Sequence, residues 1–186
     1  MRGYFGIGIE GVSKPMNLGS LLRTGHAFGA SFVFTIGGVV NRRQIENADT
    51  SAAMTNLPLH EYAELTEFRL PRGCRLVGVE LLADAIDMPS FRHPAQAAYV
   101  LGAERTDLSP ALLERCDYVI RIPTRFCVNL AVAGALVMYD RMLSLGRFAE
   151  RPVRTGGPLG PPSLHVHGEP VWRSKQRRRL AAATRP

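Results

Sequence analysis

The chain has 186 residues, 46% of them apolar and 21% charged, proportions ordinary for a soluble globular protein and enough chain for one domain with a full core. No apolar run reaches the ~18 residues that a membrane-spanning helix needs, so no membrane partner is expected. The formal charge of +7 is uneven: residues 1–150 hold 15 basic and 15 acidic side chains, whereas 151–186 hold 8 basic and 1 acidic.

Short β-branched or aromatic runs alternate with helical stretches. The strand "YFGIGI" at 4–9 precedes a helix over about 18–29, then "FVFTI" at 32–36 and a second helical stretch around 43–55. "RLVGVE" at 75–80, "AAYVLG" at 97–102 and "DYVIRI" at 117–122 follow as strands, with the helical "SPALLERC" between the last two and a long final helix after about 128. This alternation predicts an α/β fold with a mostly parallel sheet and helices on both faces.

In the first helix Leu18, Leu21, Leu22, Gly25, Phe28 and Gly29 recur at three- and four-residue spacing and form an apolar stripe. Asn17 is the expected N-cap. Arg23 falls off the stripe, beside Ser20, Ala27 and Ala30, and is presented to solvent or to a partner.

"GIGIEG" at 6–11 satisfies the dinucleotide fingerprint G-x-G-x-x-G, which requires its last glycine at the opening of a helix. Here "VSKP" follows Gly11, and no Asp or Glu lies near position 31 to take a ribose hydroxyl. These glycines are therefore read as strand and turn residues, and a nucleotide-binding oxidoreductase ranks as a weak rival.

The segment 151–186 is rich in Gly and Pro and ends in the cluster Arg173, Lys175, Arg177, Arg178 and Arg179. It is read as a disordered arm suited to phosphates, appended to a domain over 1–150. Cys74, Cys116 and Cys127 form no C-x-x-C pair and no secretory segment opens the chain, so reduced thiols and a cytoplasmic location are expected. "HVH" at 165–167 lacks further ligands at suitable spacing, and no metal site is expected.

Within "RFCVNLAVAGALVMYDR" at 125–141, Asn129 interrupts an apolar run. An amide costs ~1–3 kcal/mol to bury without partners, so Asn129 either caps the final helix or is paired inside a site.

Taken together, "NLGSLLR" (17–23), "LGAERTDLSPALLERCDYVIRIP" (101–123) and "CVNLAVAGALVMYD" (127–140) resemble the three motifs of the SpoU/TrmH family of RNA ribose 2'-O-methyltransferases, within the SPOUT superfamily. The resemblance spans roughly residues 4–146. It implies a C-terminal trefoil knot, S-adenosylmethionine as cofactor, and a homodimer with its active site at the subunit interface. Mapped position by position, the cofactor loops are those after Val79 and Glu80, after Gly102 and around Ile122, closed by Cys127, Val128 and Leu130. The catalytic set is Asn17, Arg23, Glu104 and Asn129.

The resemblance gives Arg23 a role in deprotonating the ribose hydroxyl, but a guanidinium has a pKa above ~12 and is rarely a base. Gripping the phosphate beside the target ribose suits it better. Glu104 would hold Arg23 or Asn17 in place, and Asn129 would meet cofactor and ribose.

This chain departs from the family pattern. Arg105 and Asp107 replace glycines around the motif-two glutamate, and Cys127 and Ala131 stand where serines are common. A buried, inert thiol is the default for Cys127. The expected function is methylation of a ribose 2'-hydroxyl in RNA, transfer RNA before ribosomal RNA, with the basic arm as an added contact. The alternative is a non-catalytic RNA-binding protein that keeps the fold.

Overall fold

The computed structural model describes residues 3–38, 53–103, 106–146, 148, 151–152 and 155–157. Among these, seven strands form one sheet: β1 (Tyr4–Glu10), β2 (Phe32–Ile36), β3 (Leu59–Tyr62), β4 (Arg75–Val79), β5 (Ile86–Asp87), β6 (Gln96–Gly102) and β7 (Tyr118–Arg121). Every pairing is parallel, in the order β3-β2-β1-β6-β4-β7-β5. The helices are α1 (Pro15–Phe28), α2 (Ala53–Asn56), α3 (Pro110–Leu113) and α4 (Leu130–Leu145).

Period-two alternation divides the sheet between two cores. Phe5, Ile7 and Ile9 of β1 and Tyr99 and Leu101 of β6 pack against Leu18, Leu21 and Leu22 of α1 and Val137 and Met138 of α4. On the other face Ala98 and Val100 join Phe34, Ile36 and Leu76 under Phe68, Leu108 and Leu112. Burying each such leucine contributes ~1.5–3 kcal/mol before the entropy of ordering it is counted.

The glycine-rich "GIGIEG" has a packing reason. A Cβ on Gly6 would strike the ring of Phe32, and one on Gly8 would meet the ring of Phe34 at 2.5 Å. The strand glycines thus make room for aromatic rings from β2.

Helix α1 opens on Pro15, not near residue 18, and Lys14 stands at its N-cap without a side-chain cap. The ring of Pro15 presets φ for the first helical position, so the helix begins before Asn17, which is inside it and is not its cap. Gly29 ends the helix in the left-handed conformation at φ 74°, and its N–H donates to the carbonyls of Gly25 and His26. Helix α4 crosses α1 at Gly134, where a Cβ would run into the Leu21 side chain.

At the N-terminal edge of the sheet α4 is anchored by a buried polar cluster. Arg141, 1% exposed, donates to the carbonyls of Pro94 (2.5 Å), Ala95 (2.8 Å) and Tyr4 (3.5 Å) and to the Tyr99 hydroxyl (3.3 Å). Its guanidinium lies over the rings of Phe5 and Tyr99. His93 bridges Tyr99 Oη (2.6 Å) and Asp140 Oδ2 (2.9 Å). The Asp140 carboxylate can only accept, which places the imidazole proton on Nε2 and leaves Nδ1 to accept from the Tyr99 hydroxyl, whose phenol burial pushes up to about 12.

The chain divides into two compact units, Met1–Gly146 and Arg147–Pro186. The described residues of the second unit carry no helix or strand, and Arg173, Lys175, Arg177, Arg178 and Arg179 lie outside them.

Candidate active site

The C-terminal ends of β4, β6 and β7 open onto one cleft of about 530 Å3. It lies where ligands of open parallel sheets bind, and its size suits a small-molecule ligand. Residues 79–81 after β4, Leu101, Gly102, Ala103, Thr106 and Asp107 around the end of β6, and Ile122, Thr124 and 127–130 beyond β7 line it, with Lys14 from the loop before α1.

Two carboxylates organise the loop after β6. Glu80 accepts hydrogen bonds from the backbone N–H of Leu81 (2.9 Å) and of Leu108 (3.0 Å), tying the β4 loop to the β6 loop. Glu10 accepts from both the N–H (2.7 Å) and the hydroxyl (2.6 Å) of Ser109. Ser109 Oγ in turn accepts from Leu112 N–H and caps α3. Charge-assisted bonds of this kind are the stronger ones, so residues 106–109 are held firmly at the rim.

Gly102 admits no side chain. A Cβ there would meet the Thr106 carbonyl oxygen at 2.9 Å, Glu80 Oε2 at 3.1 Å and the Leu108 nitrogen at 3.2 Å. Glycine is required because the loop folds back over its own strand end.

Asn129 is exposed and plays both parts the sequence left open. Its Oδ1 accepts from the N–H groups of Ala131 (2.9 Å) and Val132 (3.4 Å), capping α4. Its Nδ2 donates to Asn17 Oδ1 at 3.3 Å. The third segment is pinned at its start by Thr124, whose N–H donates to Ile122 O (2.7 Å) and whose hydroxyl donates to Phe126 O (2.9 Å).

All seven residues expected at the cofactor, Val79, Glu80, Gly102, Ile122, Cys127, Val128 and Leu130, border this one cleft. Of the four expected catalytic residues, Asn17 and Asn129 meet, Arg23 stands exposed on α1 and does not line the cleft, and Glu104 lies outside the described residues, as does Arg105. Cys127 is exposed at the cleft, contrary to a buried thiol, because it sits in the loop before α4 and not in the helix. All three cysteines are free thiols. Among the described residues no group of three or more His, Cys, Asp or Glu side chains could hold a metal ion.

Lys14 and Thr124 also line the cleft and were missed from sequence. The only available signal was position: each neighbours a proline at a turn between a strand and a helix.

Apolar walls from Val79, Leu101, Ile122, Val128 and Leu130, with Lys14, Glu80 and Asp107 also along the lining, fit a ligand with a flat heterocycle and a charged tail.

Comparison with known proteins gives the same assignment. The family model of the SpoU rRNA Methylase family matches residues 5–139. The chain is 32% identical over 139 residues to the mouse (Mus musculus) tRNA (guanosine(18)-2'-O)-methyltransferase TARBP1, covering 69% of this chain and 9% of that protein. It is 29% identical over 143 residues to a putative TrmH family tRNA/rRNA methyltransferase of Staphylococcus saprophyticus, covering 71% of this chain and 55% of that one. The chain thus spans about half the length of the bacterial relative and under a tenth of the mouse one.

Among solved structures, an AdoMet-bound rRNA methyltransferase from Sinorhizobium meliloti superposes with a TM-score of 0.70 at 22% identity, over 78% of this chain and 58% of that one. A structure from work on the 2-OH methylation of C/U34 on tRNA superposes with a TM-score of 0.68 at 22% identity, over 79% of this chain and 100% of that one. These two likenesses show the fold, and the match over residues 5–139 shows the family: the chain belongs to the SpoU rRNA methylase family.

Proposed function

We propose that this protein transfers a methyl group from S-adenosylmethionine to a ribose 2'-hydroxyl of RNA, with transfer RNA preferred. The observation that carries the reading is the convergence of residues far apart in sequence, 79–81, 102–103 with 106–107, and 122, 124 and 127–130, on one cleft whose lining includes Asn129, the hydrogen-bond partner of Asn17.

The cleft fits the cofactor. Its aliphatic walls suit adenine, strand ends offer backbone N–H and C=O groups to the ring edge, and Asp107 and Glu80 bring negative charge toward a cationic ligand. When bound, S-adenosylmethionine supplies an already activated methyl group, so the protein's task is to align the acceptor hydroxyl, and alignment can supply much of the rate.

Asn17 and Asn129 orient the ribose at the mouth of the cleft. Arg23 clamps the neighbouring phosphate, since a guanidinium keeps its proton at working pH and presents a planar fork. Because Arg23 does not line the cleft of its own chain, the reading requires a homodimer in which it serves the partner's site. Exposed Val132, Leu136 and Tyr139, at helical spacing on α4, supply apolar surface for that second copy.

A C-terminal trefoil knot belongs to the same reading. It is supported by β7, which pairs between β4 and β5, and by Arg121, which donates to the carbonyls of Leu82 and Ala83 in the connection between those two strands. The basic segment 151–186 acts as an additional RNA contact.

The test is incubation with methyl-labelled S-adenosylmethionine and total RNA, then mapping of the labelled nucleotide. Label on a ribose oxygen of transfer RNA is expected. RNA binding without label transfer is the outcome of the non-catalytic alternative, and label on a base overturns the assignment.

A further inference from the structure

Phe126 is 77% exposed and sits in the loop between β7 and α4. A single exposed apolar residue is unremarkable by itself, but this one sits on a loop whose backbone is pinned on both sides. The Thr124 hydroxyl fixes the Phe126 carbonyl at 2.9 Å, the Thr124 N–H turns back onto Ile122 O, and the Asn129 cap closes the other end of the loop. Thr124 and Cys127, on either side of the Arg125–Phe126 pair, line the cleft, whereas that pair does not. Arg125 is exposed as well.

An exposed aromatic ring on a backbone-pinned loop, with an exposed guanidinium at the preceding position, next to residues that line a site read as taking an RNA sugar, offers the chemistry that recognises an unpaired nucleotide: the base stacks on the ring and the phosphate meets the cation. We propose that Phe126 is the stacking platform for an unpaired base of the RNA substrate at or next to the methylated nucleotide, with Arg125 on the adjoining phosphate. The inference rests on the reading of the cleft as an RNA methyl-transfer site. It adds the residue that governs which nucleotides can be presented there. Phe126 is then a specificity residue with no contact to the reacting atoms.

The full-length protein carrying Phe126→Tyr or Phe126→Leu tests this. Binding of a fluorescently labelled single-stranded RNA and of total transfer RNA is followed by anisotropy, cofactor affinity by calorimetry, and assembly by sedimentation. Phe126→Leu keeps an apolar side chain but loses the π-face, so its RNA dissociation constant rises about tenfold, whereas Phe126→Tyr stays within about twofold. Cofactor affinity and sedimentation stay at wild-type values for both. Wild-type RNA affinity in Phe126→Leu overturns the proposal, as does equal weakening in both variants or a shift in sedimentation, which would assign Phe126 to a subunit contact. None of these readouts needs turnover. A wild-type protein that transfers no methyl group, yet loses RNA affinity in Phe126→Leu alone, would refute the methyl-transfer reading and leave the stacking platform standing.

Discussion

Asn129 Nδ2 donates to Asn17 Oδ1 at 3.3 Å, joining the first motif to the third across 112 residues of sequence. The same Asn129 side chain caps α4 through Oδ1, so one amide both starts the helix and ties α1 to the cleft-lining segment.

These two tasks separate by substitution. Asn129→Ala removes the cap and costs ~1 kcal/mol of stability, along with most methyl transfer. Asn129→Asp keeps the cap, with favourable charge at a helix N-terminus, but sets a carboxylate against the Asn17 oxygen. Thermal denaturation of Asn129→Asp should match wild type while methyl transfer falls. Equal activity in wild type and Asn129→Asp would remove the pair from the mechanism.

Glu80 has both oxygens engaged by backbone N–H groups, of Leu81 and Leu108. Glu80→Gln leaves only one acceptor oxygen and turns an NH2 group toward an N–H, at a cost of ~1–3 kcal/mol. The loop carrying Thr106 and Asp107 loosens, and calorimetry should show weaker S-adenosylmethionine binding. Unchanged affinity would mean that this tie does not shape the cleft.

Much of this architecture was legible in the sequence, and the exceptions have physical causes. Strands β1, β2, β4 and β6 read clearly because helices or loops bury both sheet faces, so apolar residues run almost continuously, while β7 read from its β-branched pair Val119 and Ile120, although only Ile120 is buried. Edge strand β3, "LHEY", was missed because its central residues are exposed and it lacks an apolar pattern. Strand β5 has two residues, too few for any periodicity, and exists only by pairing with β7. The start of α1 falls before the expected one because Lys14 gives no side-chain cap to read, whereas Asn17, inside the helix, has the chemistry of one. The second helical stretch around 43–55 overlaps the described residues only at α2.

At the site, the seven positions expected at the cofactor came from the motif resemblance, and the structure brings them to one cleft. The Asn17–Asn129 hydrogen bond could not be read, because spacing of 112 residues carries no periodic signal. The buried cluster of His93, Tyr99, Asp140 and Arg141 escaped for the same reason, although a charged pair ending the apolar run "LVMYDR" marks the place.

That cluster makes stability depend on pH. Burial lowers the His93 pKa below its ordinary value, outweighing the Asp140 carboxylate that raises it. The unfolded chain then takes up a proton that the folded chain refuses. Stability is complete above the ordinary histidine range and falls as pH drops from about 6.5 toward the lowered value. Denaturant titrations should show this loss, and His93→Gln should flatten it while lowering neutral-pH stability by ~1–3 kcal/mol. A pH profile identical in wild type and variant would contradict the assignment.

Arg23→Lys keeps the charge on α1 but loses the planar fork. If the guanidinium clamps a phosphate beside the target ribose, methyl transfer falls about tenfold to a hundredfold with cofactor affinity unchanged. Wild-type turnover in this variant would end that role.

Deleting 151–186 removes 8 basic residues and 1 acidic one. RNA affinity should weaken and its logarithmic dependence on salt should become shallower, while cofactor affinity holds. An unchanged salt slope would show that the arm does not touch RNA.

The most direct test of the central claim is a crystal structure of the protein with S-adenosylmethionine and a short RNA. The account predicts the donor in the cleft lined by 79–81, 102–103, 106–107 and 127–130, its methyl group facing a ribose 2'-hydroxyl held near Asn17 and Asn129. A donor bound elsewhere, or an RNA base in place of the ribose at the methyl group, would contradict it.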